Sequence, residues 1–390
     1  MTEYFLRLFL KEGSPRDPGY RRRCGALSGW VGIVLNLLLF LGKLGAGLAT
    51  ASVAIVADAV NNLSDAASSV VTLVGFRLAG LEADADHPFG HGRIEYVSGL
   101  VVSLAILLMG LEVGRASLTA LFRPETLSFS PAAVGILCAA ILVKLWLFRF
   151  NRLLGRRIGS AAMEATAADS LSDALSTGLV LLSTLVFHFW GLRLDGLAGL
   201  VVAALILKAG WEAARDTLDP LLGRPMDPRL ARDIDALVRS HDSILGIHDL
   251  IYHDYGPVRA MMSFHAEVPA EGDFLALHEQ VDHIERELKS RYGIDTVIHM
   301  DPVLRDERTL AFRNTVELLA RGIDPALTIH DFRLTPGPDH VNVFFDLTVP
   351  YGFRLTPEQA GAALEEKLRA VSPSWHPVIQ AEHPFVEEAP

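Results

Sequence analysis

Cysteine is nearly absent: two residues, Cys24 and Cys138, stand in a chain of 390. They are too few and too far apart for a disulfide framework or a thiolate metal site. A basic surplus is also missing. Lys and Arg number 35 against 46 Asp and Glu, a formal charge of −11. That balance argues against a nucleic-acid partner and fits a surface that attracts cations. No HExxH or GxSxG stretch occurs, which argues against the common hydrolase sites. The opening MTEYFLRLFLKEG is only a short amphipathic stretch before the polar SPRDPGYRRR, so no cleavable signal peptide is expected.

Apolar residues are abundant instead. Half the chain is hydrophobic and the mean hydropathy is +0.30. The excess lies in the first 220 or so residues, whereas the remainder is of soluble type, and net negative charge concentrates after Asp216. A membrane half followed by small soluble domains is predicted. About 20 apolar residues cross a bilayer core, and six stretches qualify: 28–49, 54–80, 95–121, 131–150, 162–189 and 194–215. Arg16, Arg21, Arg22, Arg23, Arg93, Arg152, Arg156 and Arg157 cluster on one side of these spans. The other side has Arg123 and Arg193 and a neutral turn at Thr50–Ser52. The positive-inside rule then places both termini, and the soluble part, in the cytoplasm.

Two spans carry polar pairs four residues apart: Asn61 with Asp65, and Asp169 with Asp173. Such residues share a helix face. A charge at bilayer depth costs roughly 2.5–3.5 kcal/mol on insertion scales, so three carboxylates there call for a cation or protons. Two facing pairs make a cage of four oxygen ligands, able to release protons when metal binds. Helix capping or bridging is the plainer reading, and suits Ser64, Ser68, Ser172 and Ser176 better. Asp58 leans to the same face, at the ion's route inward or at the water interface. Oxygen-only donors favour Mn²⁺ over Zn²⁺, with Fe²⁺ borderline.

Further along, ADADHPFGHGRIE holds Asp84, His87 and His91 at metal-ligand spacing, although Pro88 and Gly90 also suit a plain turn. With GIHDL, SFHAEV and VIHMDP in the soluble part, these motifs resemble the cation diffusion facilitator family over about residues 25–303. The resemblance implies a homodimeric exporter of divalent metal in exchange for protons, working by alternating access. It implies six membrane helices and a cytoplasmic ferredoxin-like domain, in the inner (plasma) membrane of a bacterium. It assigns the transport site to Asn61, Asp65, Asp169 and Asp173. Because zinc-transporting members place His where Asp169 stands, the chain is similar to the manganese-exporting branch. It also implies a loop metal site at Asp84, His87 and His91, a cytoplasmic site at His248, His265, His299 and Asp301 with His278 as a further candidate, and a charge pair between Arg93 and Asp219. Scattered surface histidines are the plainer reading of the cytoplasmic set. Iron, zinc or cobalt export is the nearest alternative. An intramembrane metallohydrolase or a membrane metal sensor or scaffold are alternatives of other classes. Beyond the bound divalent metal no cofactor is expected, and no enzyme activity.

The expected organisation is a cytoplasmic segment 1–24, a transport domain 25–222, a ferredoxin-like domain 226–303 and a second copy at 306–390. The copy rests on wording: TIHDFRLTPGPDHVNVFFDLTVP aligns with GIHDLIYHDYGPVRAMMSFHAEVP. His330 matches His248, Asp346 stands where His265 does, and Gln380 and Glu382 fall near His299 and Asp301. Such drift suggests a structural or dimer-stabilising copy, with a degenerate oxygen-rich site as the alternative.

Overall fold

The computed structural model describes residues 6, 9–10, 13–49, 53–122, 131–191, 195–337 and 339–384. The turn at Thr50–Ser52, Arg123, Arg193 and the side chain of Asp58 lie outside the described residues. The chain forms two compact units: Met1–Arg224 with Asp254–Arg259, and Pro225–His253 with Ala260–Pro390.

Among the described residues the first unit has six long helices: α1 (Pro18–Ala49), α2 (Val53–Ala79), α3 (Ile94–Phe122), α4 (Pro131–Ile158), α5 (Ala161–Trp190) and α6 (Asp195–Leu222). Among the described residues, five are long and apolar enough to cross a membrane. The sixth, α2, has 27 residues and carries Asn61, Asn62, Asp65 and Arg77 within its apolar sequence. Leu41, Leu108, Leu142 and Trp211 point outward and are exposed, as side chains facing lipid do. α5 packs against α2, α3, α4 and α6, which places its polar face at the centre of the bundle. Small residues allow these approaches. A Cβ on Gly99 of α3 would stand 2.8 Å from the Ala162 Cα of α5, closer than any side chain permits.

Helix α1 begins ten residues before the predicted span. Asp17 accepts hydrogen bonds from the Gly19 and Tyr20 amides, both 3.0 Å, and Pro18 occupies the first turn, where no amide is needed. The extension carries Arg21 inward. Its guanidinium meets Glu95 of α3 at 2.7 Å and donates to the Ile158 carbonyl of α4, with both charged side chains buried. Arg21, read from sequence as a topology signal, thus also locks three helices.

The second unit repeats one order twice. First come α7 (Pro228–Arg239), β1 (Gly246–Asp254), β2 (Ala260–Pro269), α8 (Phe274–Tyr292) and β3 (Ile294–Val303). Then come α9 (Glu307–Arg321), β4 (Thr328–Pro336), β5 (Val341–Thr348), α10 (Pro357–Val371) and β6 (Trp375–Glu382). Each set gives a three-stranded sheet with its middle strand drawn from the hairpin, β1-β2-β3 and β4-β5-β6. β2 pairs parallel with β3, and β5 parallel with β6. Amphipathic helices cover one face of each sheet. Ile234, Phe264, Ile284 and Leu288 centre one apolar core, and Val316, Phe345, Leu364 and Leu368 the other. Side-chain caps start the helices: Asp273 on α8, Asp306 on α9 and a reciprocal Thr356–Gln359 box on α10, each worth about 1 kcal/mol in typical cases.

Candidate metal centres and the family

Within the helical unit, Asp65 on α2 and Asp169 and Asp173 on α5 are all buried. One-turn spacing puts Asp169 and Asp173 on one face of α5, and that face meets α2 and α4. A cation already sits among them. Lys144 Nζ, from α4, lies 2.7 Å from Asp65 Oδ2 and 2.5 Å from Asp173 Oδ2. Asp169 stands within electrostatic range of all three groups. Asp173 Oδ1 is buried without a hydrogen-bond partner, so the cluster retains an unused ligand atom. The position of Lys144 escapes sequence reading, because one lysine in VKLWLF looks like an isolated charge near a span end. The available signal was its cost: a buried ammonium must find carboxylates.

Asn61 falls at the margin of this cluster. It is half-buried, whereas its neighbour Asn62 is 1% exposed. The inward stripe of α2 runs through Asn62, Asp65, Ser69, Thr72 and Phe76, at three- and four-residue steps. Asn62, three before Asp65, therefore shares that inward face more fully than Asn61.

The 84–91 loop closes as its spacing suggests. Asp84 accepts the His87 amide at 2.7 Å, and its carboxylate lies 3.4 Å from His87 Nδ1 and 3.5 Å from His91 Nε2. The His87 amide and the two imidazoles hold the Asp84 carboxyl below the usual carboxylate range. His91 Nδ1 is buried without a partner. These three residues can hold a metal ion by proximity.

Arg93 and Asp219 do not pair with each other within the chain. Arg93 donates through Nε and Nη2 to the Asp254 carbonyl at 2.9 and 2.7 Å, and stacks 4.4 Å from the Tyr255 ring. Asp219 faces Arg215 one turn earlier, at 3.5 Å. The turn 254–259 lies within hydrogen-bonding reach of Arg93, and Asp219 does not compete because its own helix supplies a cation.

In the second unit His265 and His299 are register partners on β2 and β3, and Asp301 lies two residues on, on the same face. Asp301 gathers the set: His248 Nε2 at 3.1 Å, His265 Nδ1 at 2.9 Å and His299 Nε2 at 3.2 Å. Burial raises the Asp301 carboxyl, but the His265 hydrogen bond and the charge of His265 and His248 outweigh it and the group lies below its ordinary range. His278 is not part of this gathering. It stands exposed on α8 beside Asp282, 3.5 Å away, because the helix lacks the alternation that brings strand residues together. The second sheet assembles the corresponding positions: His330 opposite Asp346, Asp346 opposite Gln380, and Thr348 opposite Glu382.

Residues 29–222 match the cation efflux transmembrane domain and residues 226–303 the cytoplasmic domain of cation efflux proteins. An uncharacterized transporter of Methanocaldococcus jannaschii is 28% identical over 70% of this chain and 96% of its own length. The manganese efflux system protein MneS of Bacillus subtilis is 28% identical over 70% of this chain and 94% of its own. The cation-efflux pump FieF of Yersinia enterocolitica is 30% identical over 73% and 95%. The matches make this a multi-pass membrane protein with a cytoplasmic C-terminal domain, a transporter rather than an enzyme. Its buried carboxylates, its histidine-rich sheet and these relatives agree, and the chain belongs to the cation diffusion facilitator family of cation efflux transporters.

Proposed function

We propose that this protein exports Mn²⁺ from the cytoplasm in exchange for protons, working as a homodimer by alternating access in the inner (plasma) membrane of a bacterium, with both termini cytoplasmic. The reading rests on one observation above all: three buried carboxylates, Asp65, Asp169 and Asp173, gather between α2, α4 and α5, with Asp65 and Asp173 meeting one cation, Lys144. Oxygen ligands favour Mn²⁺ over Zn²⁺, and Asn61 or its neighbour Asn62 can complete the set from α2. The likeness to the Bacillus subtilis manganese efflux protein supports manganese. The likeness to cation-efflux pumps is equally close, so Fe²⁺ is the next ion to test, then Zn²⁺ and Co²⁺.

Lys144 has a definite part in this scheme. With no metal among the carboxylates, its ammonium neutralises two of them. An arriving divalent ion displaces it, and the two charges of the ion then replace the one of Lys144. Protons arriving from the far side reset the carboxylates when the ion leaves. The loop set Asp84, His87 and His91 and the sheet set His248, His265, His299 and Asp301 are read as accessory metal sites. The former lies at the membrane surface, and the latter senses metal or steadies the dimer. The organisation follows as a membrane domain to about residue 222 and two copies of one small α+β domain at 226–303 and 306–390.

Purified protein in proteoliposomes tests the assignment. Wild type is expected to move Mn²⁺ down its gradient with counterflow of protons, and Asp173→Ala to abolish it. Failure to move Mn²⁺, Fe²⁺, Zn²⁺ or Co²⁺ ends the transport reading; wild-type rates in Asp173→Ala end the site assignment.

A further inference from the structure

One side chain of the first half of the second unit reaches into the second half. Each first strand contains Ile-His-Asp, at residues 247–249 and 329–331. Both aspartates take the left-handed backbone conformation, Asp249 at φ 51° and Asp331 at φ 48°, and β4 carries its register shift between His330 and Arg333. Left-handed backbone away from glycine persists only where the surroundings demand it. Asp331 pairs with Arg333 of its own strand at 2.7 Å, whereas Asp249 reaches the other half. Asp249 Oδ1 meets His330 Nε2 at 3.1 Å, and Asp331 lies in electrostatic range of Asp301, His248 and His265.

The surroundings of His330 then resemble a coordination shell. Its Nε2 stands 3.1 Å from Asp249, 3.9 Å from Asp346 Oδ2 and 3.9 Å from Glu382 Oε1, and all four ligand atoms lie within 4.8 Å of one another. Ligands about 2.0–2.2 Å from one ion stand roughly 3–4.4 Å apart, so the separations fit. The other ring nitrogen, Nδ1, lies 3.2 Å from Thr348 Oγ1, which fixes the ring, and Nε2 makes its hydrogen bond to Asp249, the contact an ion between them would replace. Three carboxylates face one imidazole here, a surplus of negative charge that nothing else in the group balances.

An independent sign comes from His248, whose ring lies 4.7 Å from that of His330. Its side chain is 7% exposed, and its Nε2 lies 3.1 Å from Asp301 Oδ2 yet makes no hydrogen bond. An imidazole nitrogen and a carboxylate oxygen that close, without hydrogen-bond geometry, are placed as two ligands of one ion. Asp249 lies within ligand distance of His248 and His265 as well as of His330, Asp346 and Glu382, so it joins the two groups.

We infer that Asp249, His330, Asp346 and Glu382 bind a second divalent cation, held across the two halves of one chain and sharing Asp249 with the His248, His265, His299 and Asp301 set. One nitrogen and three oxygens suit Mn²⁺ better than Zn²⁺. The ion fastens the second copy to the first, giving that copy a role even though it lacks the histidines of the first. This inference goes beyond the transport reading and does not depend on it.

The test is Mn²⁺ stoichiometry on the full chain in detergent, by equilibrium dialysis with metal analysis. The Asp346→Asn, Glu382→Gln double variant is expected to bind one Mn²⁺ fewer per chain than wild type, or to bind that equivalent at least tenfold more weakly. Asp249→Asn, which keeps the shape beside His330, is expected to weaken the same equivalent. A chain bearing Asp173→Ala, His87→Ala and His299→Ala keeps the full His330 set and is expected to retain at least one Mn²⁺. This last measurement leaves the proposed ligands untouched, so an empty triple variant overturns the inference even if the double variant fails to fold. Unchanged stoichiometry and affinity in the double variant, or no Mn²⁺ in the triple variant, overturns the inference.

Discussion

Lys144 Nζ on α4 stands 2.5 Å from Asp173 Oδ2 on α5, and both side chains are buried. A salt bridge so placed contributes little net stability, because desolvation offsets attraction, yet removing one partner leaves an uncompensated charge and costs about 3–5 kcal/mol.

Lys144→Met is therefore expected to lower the thermal stability of the metal-free protein sharply, and to make it more dependent on added Mn²⁺. Thermal unfolding with and without Mn²⁺ checks this. An equal Mn²⁺-induced rise in Tm for variant and wild type refutes competition between Lys144 and the ion.

Asp169→His introduces one nitrogen donor among the oxygens. Imidazole raises affinity for Zn²⁺ more than for Mn²⁺, so the zinc-to-manganese transport ratio is expected to rise on the order of tenfold, about 1.4 kcal/mol. A competition assay in proteoliposomes reads the ratio directly; a fall or no change counts against a metal ligand at 169.

Arg21 and Glu95 are joined at 2.7 Å with both side chains buried. Arg21→Met alone is expected to destabilise by about 3–5 kcal/mol, whereas the Arg21→Met, Glu95→Leu pair recovers much of the loss, because apolar replacement removes both desolvation costs together. A double-mutant cycle in chemical denaturation checks it, and additive losses contradict it.

Arg93 holds the Asp254 carbonyl through two nitrogens. Arg93→Glu is expected to reduce transport severely, and adding Asp219→Lys is expected not to restore it. Restoration by the charge swap points instead to a pairing between protomers.

Much of the helical site was legible before any coordinates. Residues four apart share a helix face whatever the helix packs against, so Asp169 and Asp173 had to point the same way. Asn61 shows the limit of that rule. The i+4 spacing admits it to the face of Asp65, but the i+3 spacing admits Asn62 equally, and only packing of α2 decides which is fully buried. The alternation of strands likewise brought His299 and Asp301 to one side of β3, while helical His278 was left elsewhere.

The sequence by itself determined where the apolar spans lie, the carboxylate pairs, the repeated αββαβ order and the histidine-rich strands, since these follow from local periodicity and from the cost of charge in hydrocarbon. Only the tertiary structure decided the partners. Lys144 with Asp65, Arg21 with Glu95 and Asp249 with His330 each join residues at least 74 positions apart. Which faces meet depends on the packing of whole elements, and a pair's energy is fixed by burial that no local pattern records.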